Sequence, residues 1–459
     1  MGRSKNAEKG KLIKMPEDPV QADEREKIHQ PDDDELASMV LGMLGDKHAF
    51  FRGSWYRYES GFWKAQKTIF PIVRDVLRKQ RFTGIRISKS KCQSVEWLVQ
   101  NDLEIEDEEE IDGQDHFFNL KNGLFNLNTF KLEPHTHKVY STCQAGFTYD
   151  PKAKCPLLMD WLFDMLITPD GKTDWNLISL LQEAIGYSLT ADTSHRVSFW
   201  VWGPTGSGKS TVLKLLIAMM EMYHEVLDLN QLGTNRFLLA RVAGKRLVTF
   251  GEADASTQLA DGMYKALVDN GGEITADVKN REPITFKPLC KVWWGMNNLP
   301  YINDRSGAVA SRVLIIPMRK KIPKVNWDLK LDDKLRNELP GIFNWAIEGL
   351  KRLRQNGKFT DVEQVTTLAD EYNKSSDVYV SFLEDEKWCA LNPSARTNSN
   401  DLFKAFMAWC KDNGVRVHVS HQRIRREWER CNLTYINSGG RWLQGVQLTD
   451  HAEHECKFG

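Results

Sequence analysis

The chain has no apolar run near the ~20 residues that a membrane-spanning helix needs, and its first residues are polar. Such an N-terminus lacks the apolar core of a secretory signal peptide, so we expect a cytoplasmic location, in a bacterium or a host cell, and no membrane partner. The eight cysteines include no C-x-x-C pair, which argues against a zinc ribbon or a disulfide framework. We therefore expect reduced thiols.

The chain also lacks net charge, because 62 lysines and arginines balance 62 aspartates and glutamates. This balance argues against whole-protein attraction to nucleic acid but leaves room for local patches. Residues 101–112 are acidic, whereas residues 416–430 hold five arginines against two glutamates. The 459 residues are 41% apolar and 27% charged, which predicts a multidomain protein of about three domains.

A glycine-rich stretch follows the apolar run 197–202 and precedes a helical pattern. It comprises Gly203, Pro204, Thr205, Gly206, Ser207, Gly208, Lys209, Ser210 and Thr211. With the spacing G-x-x-x-x-G-K-S, glycines let backbone N–H groups turn towards phosphates, the lysine reaches the β- and γ-phosphates, and the next hydroxyl binds Mg²⁺. We therefore predict a site for ATP and Mg²⁺, with Lys209 as a catalytic residue and Ser210 as a metal ligand.

Two later apolar strands are each followed by a polar side chain. Residues 245–251 lead to Glu252, with Asp254 two positions later, and residues 290–296 lead to Asn297. A carboxylate at the end of a strand beside a phosphate-binding loop can hold Mg²⁺ and orient the attacking water. Glu252 is thus a predicted catalytic residue, and Glu252 and Asp254 are predicted metal ligands. The Asn297 amide can hydrogen-bond the γ-phosphate and the water.

Residues 272–286 alternate as a hairpin whose tip carries Lys279 and Arg281, which are well placed to contact a phosphate backbone. Arg312 directly precedes a fourth apolar strand, and Arg305 competes with it. In a ring, such an arginine enters the site of the neighbouring subunit and offsets transition-state charge.

This ordered set of motifs resembles superfamily 3 helicases and, more narrowly, the poxvirus and phage/plasmid primase-helicase family. The strings that carry the resemblance are 122–135, 149–156, 181–187, 203–211, 245–252, 265–286, 293–300, 311–312 and 338–350. The resemblance implies a hexameric AAA+-like ring that hydrolyses ATP between subunits and moves along single-stranded DNA, typically 3′ to 5′. By position, it assigns Lys209 and Ser210 to Walker A, Glu252 to Walker B, Lys279 or Arg281 to the translocating hairpin, Asn297 to sensor 1 and Arg312 to the arginine finger.

The C-terminal residues predict two helices, at 399–413 and 420–430, and then two strands joined at 438–440. This order is typical of a winged helix, in which Arg423, Arg425 and Arg426 could contact DNA phosphates. The alternative is a solvated basic face, because runs of charge are usually solvated.

We predict an α/β fold: a P-loop AAA+-like ATPase core with a helical/β N-terminal accessory domain and a C-terminal winged-helix-like domain. The predicted boundaries are a disordered tail at 1–32, the accessory domain at 33–155, a helical collar at 156–190, the superfamily 3 ATPase at 191–350 and the winged-helix-like domain at 351–459. Turns at Ser60-Gly61 and Asn122-Gly123 predict two hairpins in the accessory domain.

The predicted function is that of an ATP-dependent DNA helicase of a mobile element or phage replicon, acting in replication. Too few residues precede the accessory domain for a primase, so we expect a primase or polymerase to act in trans. The alternative is an ATP-gated origin-binding or replisome-loading ring that grips DNA without processive unwinding. A small-molecule phosphotransferase would share only the glycine-rich stretch.

Overall fold

The computed structural model describes residues 29–106, 111–113, 116–232, 234–251, 261–269, 272–279, 282–300, 310–413 and 421–458. These residues form two compact units. The first comprises the described chain up to Ala49 together with Gln66–Glu104, and the second comprises Phe50–Ala65 and the described chain from Ile105 onward.

Three helices make up the first unit: α1 (Asp33–Leu44), α2 (Phe70–Lys79) and α3 (Lys89–Leu103). Helix α1 begins with a capping box, in which the Asp32 carboxylate accepts from the backbone N–H of Glu35 and the Glu35 carboxylate accepts from that of Asp32. The Ser88 hydroxyl caps α3 by accepting from the N–H of Lys91. The core of the first unit is formed by buried side chains at helical spacing: Leu36, Val40, Leu44, Val73, Val76, Leu77, Cys92, Val95 and Val99.

Two small antiparallel sheets carry the predicted hairpins. The first contains β1 (His48–Phe51), β2 (Ser54–Glu59) and β3 (Phe62–Gln66), and the second contains β4 (Phe117–Leu120), β5 (Gly123–Asn126) and β6 (Lys131–Glu133). The turn at Ser60 and Gly61 is confirmed, and both residues have positive φ, 57° and 89°, as a tight hairpin turn requires. The second hairpin is confirmed, but its turn lies one residue earlier than predicted, at Lys121 and Asn122, because Gly123 already pairs with Leu120 as the first residue of β5.

A five-stranded parallel sheet lies at the centre of the second unit and confirms the predicted α/β class. Its strands are β7 (Ser198–Trp202), β8 (His224–Leu227), β9 (Leu247–Phe250), β12 (Lys291–Met296) and β13 (Val313–Pro317). Their spatial order is β13-β7-β12-β9-β8. The chain therefore leaves β7 towards one side of the sheet and leaves β12 towards the other. In open parallel sheets, ligands bind beyond the carboxyl ends of the strands at such a topological switch point.

Helices and further strands surround this sheet. The helices before β13 are α4 (Pro156–Met165), α5 (Trp175–Ser188), α6 (Lys209–Met220) and α7 (Asp261–Val268), and those after it are α8 (Leu331–Asn337), α9 (Leu339–Asn356), α10 (Glu363–Ser376) and α11 (Val378–Glu384). Successive residues of β7 point to opposite faces: Phe199 joins the core cluster that contains α5 and α9 residues, and Trp200 joins the cluster that contains α7 residues. Burial on both faces explains why the central strands are almost wholly apolar.

A two-stranded hairpin, β10 (Ile274–Ala276) and β11 (Ile284–Phe286), confirms the predicted hairpin between β9 and β12. Ile274 pairs with Phe286, and the Thr275 and Thr285 hydroxyls meet at 2.9 Å. Lys279 lies in its exposed connection. The tip residue Arg281 lies outside the described residues.

The last part of the chain contains the predicted helices and the predicted pair of strands. Its elements are β14 (Cys389–Asn398), α12 (Ser399–Asp412), α13 (His421–Arg430), β15 (Thr434–Asn437), β16 (Arg441–Leu448) and α14 (Asp450–Phe458). The strands form an antiparallel sheet in the order β14-β16-β15. Phe382, Phe406 and Trp428 are fully buried in a separate aromatic core with ring centroids 5.4–5.9 Å apart.

Within the part of the chain that the structure describes, no helix has the length and apolar character needed to cross a membrane. Seven cysteine thiols are free there, and six of them are buried.

A buried carboxylate connects α5 to α9 and to the segment that precedes α10. Glu183 is 0% exposed; it accepts from the Arg352 Nε at 2.6 Å and from the Thr360 N–H and hydroxyl, both at 2.7 Å. These donors satisfy the charge that burial would otherwise leave uncompensated.

We expect Glu183→Gln to destabilise the protein by about 2–4 kcal/mol, because an amide places N–H groups against donors and leaves the guanidinium without its counter-charge. Thermal unfolding measures this as a lower midpoint. The matched control is Glu348→Gln, which removes an exposed ion pair with Lys351 on α9 and should change the midpoint little. Equal midpoints for the two variants would contradict the assignment.

Candidate functional site

The glycine-rich loop lies between β7 and α6, at the carboxyl edge of the parallel sheet. Gly203, Gly206 and Gly208 have φ values of 158°, 82° and 86°, which side chains rarely adopt. Close packing adds a second constraint: a Cβ on Gly203 would lie 2.1 Å from the Met318 carbonyl oxygen, and one on Gly208 would lie 2.6 Å from the Trp161 ring. The loop therefore requires glycine at both positions.

Lys209 begins helix α6, and its side chain folds back over the loop. The Nζ donates to the carbonyl oxygens of Gly203 at 2.7 Å and Pro204 at 2.8 Å. Partial burial lowers the pKa of Lys209 from its ordinary value. Ser210 is exposed at the start of the helix, and the Ser207 hydroxyl is fully buried without a hydrogen-bond partner in the described chain. The ammonium and the positive end of the helix thus lie at the same place.

An open cleft of about 560 Å³ covers residues 205–211, and such a volume is typical of a nucleotide-sized ligand. Trp161 of α4 lines one part of it, and Ile322 and Trp327, from the segment after β13, line another. Backbone bonds fix this segment: Met318 N–H donates to Trp202 at 2.7 Å, and Ile322 N–H donates to Gly206 at 2.9 Å. Sequence reasoning missed these wall residues because no motif marks them.

Asn297 lies beside the loop, as expected for a residue that directly follows a strand of the parallel sheet. The register pairs Trp202 with Met296, and the Gly203 N–H donates to the Met296 carbonyl oxygen at 3.2 Å. Asn297 is therefore the next residue out from the sheet, and it is exposed. Glu252 and Asp254, which follow β9, lie outside the described residues.

Arg312 lies at the amino ends of the strands of the same sheet, opposite the glycine-rich loop. The register pairs Val313 with Ser198, at the start of β7, so the length of the strand, roughly 15 Å, separates Arg312 from the loop. Its Nη2 and Nε contact one carboxylate oxygen of Asp269 at 2.9 and 3.2 Å. The structure does not bring Arg312 to the glycine-rich loop of its own chain. Arg305 lies outside the described residues.

The predicted DNA-binding arginines of α13 differ in their surroundings. Arg425 stacks 4.8 Å from the Tyr435 ring and pairs with Glu429 at 3.1 Å. Arg426 is exposed. The side chain of Arg423 lies outside the described residues. Lys279 is far from α13 in the chain, in the exposed connection of the β10–β11 hairpin.

Among the described residues, no cluster of histidine, cysteine, aspartate and glutamate could hold a metal by itself. The exposed Ser210 hydroxyl at the start of α6 fits an Mg²⁺ that is shared with nucleotide phosphates, since Mg²⁺ usually binds through few protein groups plus phosphates.

The fold and the site define an α/β protein with a glycine-rich loop and a nucleotide-sized cleft at the carboxyl edge of a parallel sheet. Two family models match it. The model described as "D5 N terminal like" matches residues 47–167, and the one described as "Family of unknown function (DUF5906)" matches residues 201–312. The second range includes both the glycine-rich loop and Arg312.

The chain is 26% identical over 272 residues to "Putative helicase L207/L206" of Acanthamoeba polyphaga mimivirus; the match covers 54% of this chain and 28% of that relative's length. An apo structure of the NrS-1 C-terminal region, in its A form, covers 92% of this chain and 100% of its own, with a TM-score of 0.50 at 12% identity. A second apo structure of that region has a TM-score of 0.46 at 11% identity and covers 93% of this chain and 100% of its own. The first likeness shows a shared fold. The match to the "D5 N terminal like" model and the viral relative confirm the predicted resemblance to the primase-helicase family.

We expect Gly208→Ala to weaken ATP binding about tenfold or more, because a Cβ strains the backbone at φ 86° and meets the Trp161 ring. Calorimetric titration with ATP and Mg²⁺ measures the change. The control is Gly42→Ala on α1, where a Cβ meets nothing within 4 Å. Binding by Gly208→Ala as tight as by Gly42→Ala would refute the need for glycine.

Proposed function

We propose that this protein is an ATP-dependent DNA helicase that acts in the replication of a mobile element or phage. The observation that carries the proposal is the glycine-rich loop with Lys209, at the mouth of a nucleotide-sized cleft on the carboxyl edge of the sheet. The viral relative carries the name "Putative helicase", which supports a helicase among the nucleotide hydrolases.

The loop fits the triphosphate of a nucleotide. We propose that its backbone N–H groups and the α6 N-terminus bind the phosphates, while the Lys209 ammonium leaves the Gly203 and Pro204 carbonyls to contact the β- and γ-phosphates. Mg²⁺, held through Ser210 with Glu252 or Asp254, would neutralise charge on the phosphates. Asn297, beside Gly203, would orient the attacking water, and Glu252 would accept its proton.

Catalysis is proposed to require a second copy of the chain. Arg312 lies a strand's length from its own loop, and its side chain keeps 19% exposure beside Asp269. A ring in which each Arg312 reaches the adjacent site agrees with its distance from its own loop and with its partial exposure. The family resemblance favours a hexamer. Arg305 stays an alternative finger.

Force on DNA is proposed to come from the β10–β11 hairpin. Its strands alternate buried and exposed residues, and Lys279 lies in the exposed connection. In a ring, Lys279 and Arg281 would face the central channel and hold the strand by its phosphates, with polarity 3′ to 5′ as in the family. Such contacts tolerate any sequence and weaken with salt.

The C-terminal elements are proposed to form a winged-helix-like DNA-binding domain. The order of α12, α13 and the β15–β16 pair fits that architecture. Because Arg425 already stacks on Tyr435 and pairs with Glu429, we propose Arg426 as the main phosphate contact on α13, with Arg423 and Arg425 contributing less. A primase or polymerase would act in trans.

We expect Lys209→Ala and Arg312→Ala each to abolish ATP hydrolysis, with Arg312→Ala still binding ATP. Loss of a finger arginine costs about 10³–10⁵ in rate. Mixing the two inactive variants should restore part of the activity, because some interfaces then join an intact Lys209 to an intact Arg312. A phosphate-release assay measures it.

The control is Asp269→Asn, which removes the ion pair of Arg312 but keeps the guanidinium and should stay active. Absence of restored turnover in the mixture, with both variants folded and oligomeric, would rule out the shared site.

We expect Lys279→Ala with Arg281→Ala to retain ATP hydrolysis but to lose displacement of a labelled strand, because the hairpin no longer grips the backbone. The control, Lys131→Ala with Lys152→Ala, removes the same charge from two other exposed positions and should unwind normally.

The unsubstituted protein also decides between the two functions: hydrolysis stimulated by single strands without displacement would favour the ATP-gated loading ring.

A further inference from the structure

The helical first unit carries a concentration of positive charge that the ATPase proposal does not use. Residues 76–95, which run from the end of α2 into α3, contain six lysines and arginines and no acidic residue, and they are flanked by Asp75 and Glu96. The chain as a whole is neutral, so this bias is local.

Most of these cations face solvent without a counter-charge. Lys79 pairs with Asp75 at 3.2 Å, and Lys91 pairs with Asp33. The remaining four, Arg78, Arg81, Arg86 and Lys89, are exposed and form no ion pair with the described residues. Unpaired cations on one short stretch repel each other, so an anionic partner would relieve the repulsion.

Two exposed aromatic rings lie close to these cations in the chain. Phe82 is 69% exposed and Trp97 is 60% exposed, although both side chains gain from burial. Phe82 lies in a single helical turn fixed by backbone bonds from Thr83 to Gln80 at 3.0 Å and from Gly84 to Arg81 at 3.1 Å. The ring is thus held out on a well-connected turn.

The exposed face of α3 continues this surface. Lys89 and Trp97 are eight residues apart, two steps of i, i+4, so they share a face of α3 about 12 Å apart along its axis. Cys92, Val95 and Val99 point the other way into the core. Positive charge and aromatic rings are therefore combined on one surface.

We propose that this α2–α3 surface, defined by Arg78, Arg81, Phe82, Arg86, Lys89 and Trp97, binds single-stranded nucleic acid. The cations fit the phosphates, and an exposed ring stacks on a base that is free of a duplex. An acidic protein would use the cations but has no bases for the rings. Every residue assigned above to ATP or to translocation lies in the second unit, so we expect this surface to bind without nucleotide.

The test measures fluorescence anisotropy of a labelled oligodeoxythymidylate with the full chain, without nucleotide, over a range of salt. For Arg81→Ala with Arg86→Ala, we expect affinity to fall about tenfold or more and the slope of log affinity against log salt to decrease by about 1.4, because two phosphate contacts are lost. The control, Arg57→Ala with Arg336→Ala, removes equal charge from two exposed positions of the second unit and should leave both quantities nearly unchanged.

Stacking is tested separately. Phe82→Ala should weaken binding roughly fivefold or more, and Phe82→Tyr should restore it, because tyrosine keeps the ring face. All these positions are exposed, so the variants should unfold at the same temperature as the unsubstituted chain.

Equal affinity of the double-arginine variant and its control would overturn the proposal. So would binding of duplex as tight as single strand, or displacement of the oligonucleotide by polyglutamate at the same charge concentration, which would indicate an acidic protein partner instead. Binding through this surface should persist with Lys209→Ala. Failure of ATP hydrolysis would therefore refute the helicase proposal and leave this one standing.

Discussion

The register of β7 against its two neighbours determines where the chemistry of this protein lies. Trp202 is level with Met296 on one side and with Pro317 on the other. Backbone bonds from Gly203 to Met296 and from Met318 to Trp202 continue the alignment beyond the sheet. A slip of one residue would exchange the faces of Phe199 and Trp200, both fully buried, and so the cores on both sides hold the register fixed.

This alignment places some functional groups together and holds others apart. It brings the glycine-rich loop, Asn297 and the segment after β13 to one edge of the sheet. Because parallel strands all run the same way, it also sends Arg312, which precedes β13, to the opposite edge beside Ser198. Arg312 would stay at the amino ends in any order of parallel strands, and this position is why we propose a pocket shared with a second copy of the chain.

The two units differ in how their charged side chains are paired. In the second unit, two buried carboxylates have cationic partners: Glu183 accepts from Arg352 and from two groups of Thr360, and Asp112 pairs with Arg52 at 3.0 Å. In the first unit, four cations near the α2–α3 turn remain unmatched and solvated. The first pattern stabilises a fold, since buried charges need partners, whereas the second costs little in water and leaves charge for a partner.

The sequence by itself determined the features that rest on local chemistry. The glycine-rich loop, the turn at Ser60-Gly61, the β4–β5 and β10–β11 hairpins and the apolar central strands could all be predicted, because backbone conformation and side-chain periodicity are set by neighbouring residues. Only the tertiary structure decided that Trp161 and Trp327, more than 160 positions apart, line one cleft with residues 205–211, and that Arg312 lies a strand's length from its own loop. These features depend on strand order and long-range packing. Because the contacts join residues far apart in the chain, no local sequence pattern indicates them.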